Sequence, residues 1–125
     1  MMDLYKDDFI AIYKNPMKYG KLDHYTHVLE GNNGSCGDNI KIYLKIDDQG
    51  KIERVSFEGH GCVISIVSTS LLLTYLEGKH VDLLKELGEQ DMYELVGIDL
   101  SDNPSRKKCM MLALDTLKKL TSPHP

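Results

Sequence analysis

The chain predicts an α+β fold in which helices cover one face of a small antiparallel sheet. Two observations carry this. Asn39 to Asp47 (NIKIYLKID) and Ile52 to Glu58 each alternate apolar and polar residues, and Asp48-Gln49-Gly50 joins them as a tight turn, the pattern of a hairpin. From Cys62 the period changes: CVISIVSTSLLLTYL is apolar nearly all round, as a helix packed on several sides must be.

The remaining elements follow from local signals. Asp3 to Tyr13 carries Leu4, Phe9, Ile10 and Ile12 and predicts an N-terminal helix that stops before Asn15-Pro16. Tyr25 to Leu29 reads as a short strand, ended by a polar turn at Gly31-Asn32-Asn33-Gly34. The long helix should end near Gly78. Val81 to Leu87 then predicts a short amphipathic helix stopped by Gly88, and Tyr93 to Leu100 another short helix or turn. Asp102-Asn103-Pro104-Ser105 offers N-cap residues and a proline suited to a first helical position. The last helix runs to Thr121 with Met110, Met111, Leu114, Leu117 and Leu120 as its apolar stripe. No repeat or linker interrupts the chain, so residues 1–125 are expected to form a single domain with 121–125 as a flexible tail.

Composition narrows the function. The 125 residues are 42% hydrophobic and 27% charged with a net charge of −4, which gives no general attraction for nucleic acid or an anionic membrane. The N-terminal residues lack a signal-peptide pattern, and the apolar stretch from Cys62 to Leu76 is shorter than the roughly 20 residues a membrane span needs. A cytoplasmic protein is expected. Its three cysteines, Cys36, Cys62 and Cys109, are odd in number and form no CxxC pair, which argues against a disulfide framework.

Buried filler is the ordinary reading of three such cysteines. Their settings argue for a site instead. Cys36 follows a Gly-Asn turn and precedes the first hairpin strand, Cys62 follows Gly59-His60-Gly61 and starts a helix, and Cys109 follows Arg106-Lys107-Lys108 near the start of another. A helix N-terminus favours the thiolate that binds metals and attacks sulfur electrophiles. Asp38 stands two residues after Cys36, and in extended backbone both side chains would project to one side. Alone, Asp38 is an ordinary turn aspartate; joined to three thiolates it becomes a fourth ligand of a tetrahedral site suited to zinc or an iron–sulfur cluster.

Those segments resemble the NifU N-terminal, or IscU-like, family of iron–sulfur cluster assembly scaffolds. Asn33-Gly34-Ser35-Cys36-Gly37-Asp38 is similar to the family's N-P-x-C-G-D. Gly59-His60-Gly61-Cys62-Val63-Ile64-Ser65 with Ser68-Thr69-Ser70 is similar to G-x-G-C-x-I-S-x-A-S-x-S. Arg106 to Ala113 is similar to the helix of the last cysteine, and Tyr13-Lys14-Asn15-Pro16 to the N-terminal H-Y-x-N-P.

The resemblance implies a three-stranded antiparallel sheet with helices on one side, and Cys36, Asp38, Cys62 and Cys109 converging on one exposed site. It implies a cysteine desulfurase as sulfur donor, with Cys36 and Cys109 the candidates to accept persulfide. A labile [2Fe-2S] cluster would be built there and passed to apo iron–sulfur clients, with the aspartate associated with cluster lability. The departures are informative. Lys108 stands where IscU proteins have histidine, and Ser101 to Ser105 replaces the L-P-P-V-K chaperone segment, so a dedicated Hsp70 chaperone is not expected. Arg106-x-Lys108-Cys109 and Asn32-Asn33 are SufU-like, yet the interval from Cys62 to Cys109 is short for the insertion SufU proteins carry. The alternative reading is therefore a zinc-binding, SufU-like sulfur-transfer protein using the same four residues, which would add sulfurtransferase activity to a protein otherwise not expected to be an enzyme. A thiol enzyme with Cys62 as nucleophile and His60 as base ranks third, since no acidic residue orients the histidine.

Overall fold

A computed structural model describes residues 6–34 and 37–121. The elements run α1 (Lys6–Lys14), β1 (His27–Asn33), β2 (Asp38–Ile46), β3 (Ile52–His60), α2 (Val63–Leu76), a 3-10 turn (Val81–Lys85), α3 (Glu89–Val96), α4 (Pro104–Leu117) and a final 3-10 turn (Lys118–Leu120). The strands form one antiparallel sheet in the order β1-β2-β3, the α+β architecture that the hairpin and the apolar helix predict. Among the described residues, no helix is long and apolar enough to cross a membrane. Ser122 to Pro125, where a flexible tail is expected, lie outside the described residues.

The hairpin forms because Gly50 takes a left-handed φ of +87° and Asp47 Oδ1 accepts the N–H groups of Gln49 and Lys51. Its period of two sets the two faces. Ile40, Ile42 and Leu44 of β2, with Val55 and Phe57 opposite, point to the helices and are buried. Asp38 continues that same parity, so its side chain too lies on the helix side and is buried. On the other face Tyr43 is covered edge-on by Tyr25 and donates its hydroxyl to Glu58 Oε1 at 2.6 Å. Helix α2 fills the core with Ile66, Val67, Leu71, Leu72, Leu73 and Leu76 against β3, α1, α3 and α4. Helix α4 crosses β1 closely, because Gly31 has no side chain: a Cβ there would sit 1.9 Å from Thr116 Oγ1.

Four sequence expectations need correction. Gly31 to Asn33 are not turn but strand, paired through Asn33 opposite Asp38. The bare Gly31 is used to admit α4, not to bend the chain. Gly88 does not stop a helix. It is the N-cap of α3, its N–H bonded to Asp91 Oδ2 at 2.8 Å, while the true stop is Gly97 in the left-handed region at φ +80°. The Val81 segment closes only as a 3-10 turn, and α3 starts at Glu89 instead of Tyr93.

Two tyrosines record this packing. The hydrogen bond to Glu58 and burial push Tyr43 up to about 12, and burial with a hydrogen bond to Glu89 does the same for Tyr93. Both pKa values are raised, so the folded state keeps protons that the unfolded chain releases near pH 10. The stability they contribute is fully present below pH 10 and is lost as pH rises towards 12. An absorbance titration at the phenolate band is expected to show two tyrosines ionising near pH 12. Replacing Glu58 with Gln should lower one of them and leave the other unchanged.

Candidate metal centre

The centre is built where β2 begins, β3 ends and two helices meet. Cys62 is the N-cap of α2, with φ −70° and ψ 168°, as its place after Gly61 predicts. Its hydroxyl-free side chain makes no cap bond, and the backbone N–H of Cys62 donates instead to Asp38 Oδ1 at 3.0 Å. A residue 24 positions away thus caps the helix, and in doing so is held against it. Gly61 makes the approach possible, since a Cβ there would fall 2.7 Å from Asp38 Oδ1. Cys109 comes from α4, whose start is fixed by Asn103, its Oδ1 accepting the Arg106 N–H, and by Pro104 at the first position.

Asp38, Cys62 and Cys109 offer one carboxylate oxygen and two Sγ atoms that all lie within 4.8 Å of one another. A tetrahedral zinc bound at about 2.3 Å to sulfur and about 2.0 Å to oxygen spaces its ligands by a little under 4 Å, so small side-chain shifts close the set. Asp38 is 1% exposed and Cys109 3%, while Cys62 is half-buried. One observation tests the fit directly. Asp38 Oδ2 is buried and, among the described residues, has no hydrogen-bond partner, although its sister oxygen is satisfied. A buried acceptor left unpaired costs about 1–3 kcal/mol, and a cation answers that need. The donor set, two thiols and a carboxylate, fits zinc or iron–sulfide.

Of the four residues singled out by sequence, three come together here. Cys36 lies outside the described residues. The expected route to Asp38 was wrong in its geometry: Gly37 is left-handed at φ +73°, so the segment is not extended and the two-residue spacing does not set the side-chain direction. The ladder partner Asn33 and the Cys62 N–H set it instead. Cys109 was expected in the first or second turn of its helix and in an exposed setting; the turn is as expected and the exposure is not. It is the sixth residue of α4, buried, and beyond the first turn where the dipole acts.

Asn33 was not foreseen. Its place in the ladder opposite Asp38 turns it to the helix side, and its Nδ2 donates to Cys109 Sγ at 3.9 Å. Only the strand assignment, hidden by the Gly-Asn-Asn-Gly turn signal, would have found it. Of the basic run, Lys107 is taken up by Glu89 at 2.9 Å, tying α4 to α3. Lys108 is exposed on a cleft of about 290 Å³ shared with Asn33, Asp115 and Lys119. His60 is exposed, and among the described residues no hydrogen bond joins it to Cys62, which leaves the thiol-enzyme reading without its base.

Comparison with known proteins accords with this geometry. The profile of the NifU-like N terminal domain matches residues 4–123. The chain is 40% identical to the iron–sulfur cluster assembly scaffold protein IscU of Thermotoga maritima, across 88% of this chain and 87% of that protein. It is 31% identical to the zinc-dependent sulfurtransferase SufU of Bacillus subtilis, across 93% and 88%. The SufU crystal structure from Fervidobacterium islandicum superposes with a TM-score of 0.74 at 29% identity, covering 92% of this chain and 94% of that one.

Proposed function

This chain belongs to the NifU-like N-terminal domain family, and from that premise we propose that it is a cytoplasmic iron–sulfur cluster assembly scaffold. Cys36, Asp38, Cys62 and Cys109 are its cluster ligands. The observation that carries the reading is the convergence of Asp38, Cys62 and Cys109 around a buried, unpartnered carboxylate oxygen. A labile [2Fe-2S] cluster is the cargo, and apo iron–sulfur proteins receive it.

Sulfur arrives from a cysteine desulfurase. A thiolate of the scaffold attacks the outer sulfur of the donor's persulfide, the donor S–S bond breaks, and the donor leaves as thiolate while the scaffold cysteine becomes the persulfide. Half-buried Cys62 is more open to such a donor than buried Cys109, so Cys109 needs α4 to shift before it can accept sulfur. The protein's own part is positional: α2 and α4 hold two sulfurs over the sheet, and the Cys62 N–H aims the carboxylate.

The 31% identity to a zinc-dependent sulfurtransferase favours a second reading. There the same residues hold zinc, which supplies a fixed positive charge that keeps sulfur ligands ionised, and one cysteine passes persulfide onward. One experiment separates the two. Protein purified anaerobically is assayed for zinc and iron, then given desulfurase, L-cysteine and ferrous iron while the visible spectrum is recorded. The scaffold reading expects sulfide-to-iron bands, lost in Cys62→Ser. A zinc-replete protein that accepts sulfur but never develops those bands would leave sulfur transfer as the function.

A further inference from the structure

Helix α2 carries four buried serine and threonine residues, with an exposed Thr74 beyond them, and they divide sharply. Thr69 donates to Ser65 O at 2.7 Å, Ser70 to Met17 O at 2.8 Å and Thr74 to Ser70 O at 2.8 Å. Ser65 and Ser68 are 0% and 1% exposed, and among the described residues the Oγ of each has no partner. A buried hydroxyl left unpaired asks for an explanation. For Ser65 the surroundings give one.

Ser65 is the third residue of α2 after the Cys62 cap. In a capping box, the side chain at that position reaches back to the N–H of the cap residue. Here that N–H is already taken by Asp38 Oδ1, so the Ser65 hydroxyl is not needed to close the box. The space left by Gly61 brings Ser65 and Asp38 together. A Cβ on Gly61 would lie 2.7 Å from Asp38 Oδ1 and 3.2 Å from Ser65 Cβ, so the carboxylate and the serine flank the same bare Cα. A donor without an acceptor and a carboxylate with one orphaned oxygen therefore lie on either side of one glycine.

We infer that Ser65 is the positioning residue of Asp38. A rotation about its χ1 angle lets Oγ–H donate to Oδ1, which then accepts from both Cys62 N–H and Ser65 while Oδ2 faces the ion. Two donors on one oxygen fix the plane of the carboxylate and present the other oxygen as a single-point ligand. Partners of this kind, standing behind a ligand, are worth about 10- to 100-fold in metal affinity. Ser68, one turn further along α2, has no such carboxylate assigned to it and serves as the control.

The inference rests on the reading of Asp38 as a ligand, and cobalt(II) tests both separately. Cobalt is titrated into the full-length protein, and into Ser65→Ala, Asp38→Ala, the double variant and Ser68→Ala, reading affinity and the ligand-field bands. Ser65→Ala is expected to bind about tenfold more weakly with shifted bands, and to have no further effect in the Asp38→Ala background. Ser68→Ala should match the wild type. An equal loss from Ser65→Ala in both backgrounds would mark a merely structural role and overturn the inference, as would unchanged bands and affinity in Ser65→Ala. If Asp38→Ala itself leaves cobalt binding and bands untouched, the ligand reading of Asp38 fails, and the role of Ser65 with it.

Discussion

Gly59→Ala is expected to destabilise the protein by about 3–5 kcal/mol in urea unfolding. Gly59 holds φ at +143°, which side chains rarely adopt, and a Cβ there would stand 2.1 Å from Asn39 O and 2.9 Å from Ile40 Cα. Both are backbone atoms, and both are locked in the β2–β3 ladder, where Asn39 faces His60 and Ile40 faces Gly59 itself. Neither can step aside without breaking the strand pair. Gly61→Ala, two residues on, should behave differently. Its new Cβ meets the tip of the Asp38 side chain at 2.7 Å, which can turn away. We expect a stability loss of only about 1 kcal/mol, with zinc affinity down about tenfold or more because the carboxylate has left the Cys62 N–H. The same substitution at two neighbouring glycines thus separates the fold from the site. Equal effects of both on unfolding would contradict that separation.

Asp38→Ala is expected to act with opposite signs on the two candidate cargoes. Zinc accepts oxygen and sulfur ligands alike, so losing one ligand of four should weaken zinc by about 100-fold or more. Iron–sulfide is softer and suits a hard oxygen ligand less well than thiolate. Removing that oxygen should make an assembled cluster leave more slowly, measured as the decay of its visible bands in the presence of a chelator. The apo-protein should lose little stability, because the variant strips an acceptor from the Cys62 N–H but also removes a buried oxygen that has no partner. Faster loss of the cluster from Asp38→Ala would show that the carboxylate holds the cargo instead of keeping it labile.

Much of this was legible in the sequence, and the reasons are physical. The hairpin and α2 could be read because period two and an all-round apolar run are strong local signals, and Asn103-Pro104 marks the start of α4 unambiguously. The meeting of Cys62 and Cys109 was legible only through the family motifs around them, because local signals place each cysteine on its helix without bringing the two together. What failed was non-local. Gly31 reads as a turn residue but is a packing hole for Thr116, and only the tertiary contact distinguishes the two. Gly88 reads as a helix stop, yet a glycine with an acid three residues later also starts one, as Asp91 does here. Burial of Cys109 and the approach of Asn33 to it depend on how α4 lies over β1, and the capping of α2 by Asp38 on how β2 meets the start of α2, which no window of sequence encodes.

We propose that one ion meets the sulfurs of Cys62 and Cys109 and the carboxylate of Asp38 together. X-ray absorption at the zinc edge of the zinc-loaded protein tests it most directly. With Cys36 as the proposed fourth ligand, three sulfurs at about 2.3 Å and one oxygen at about 2.0 Å are expected, falling to two sulfurs in Cys109→Ser and losing the carboxylate oxygen in Asp38→Ala. A shell that keeps its three sulfurs in Cys109→Ser, or one that is identical in Asp38→Ala and the wild type, would contradict the claim.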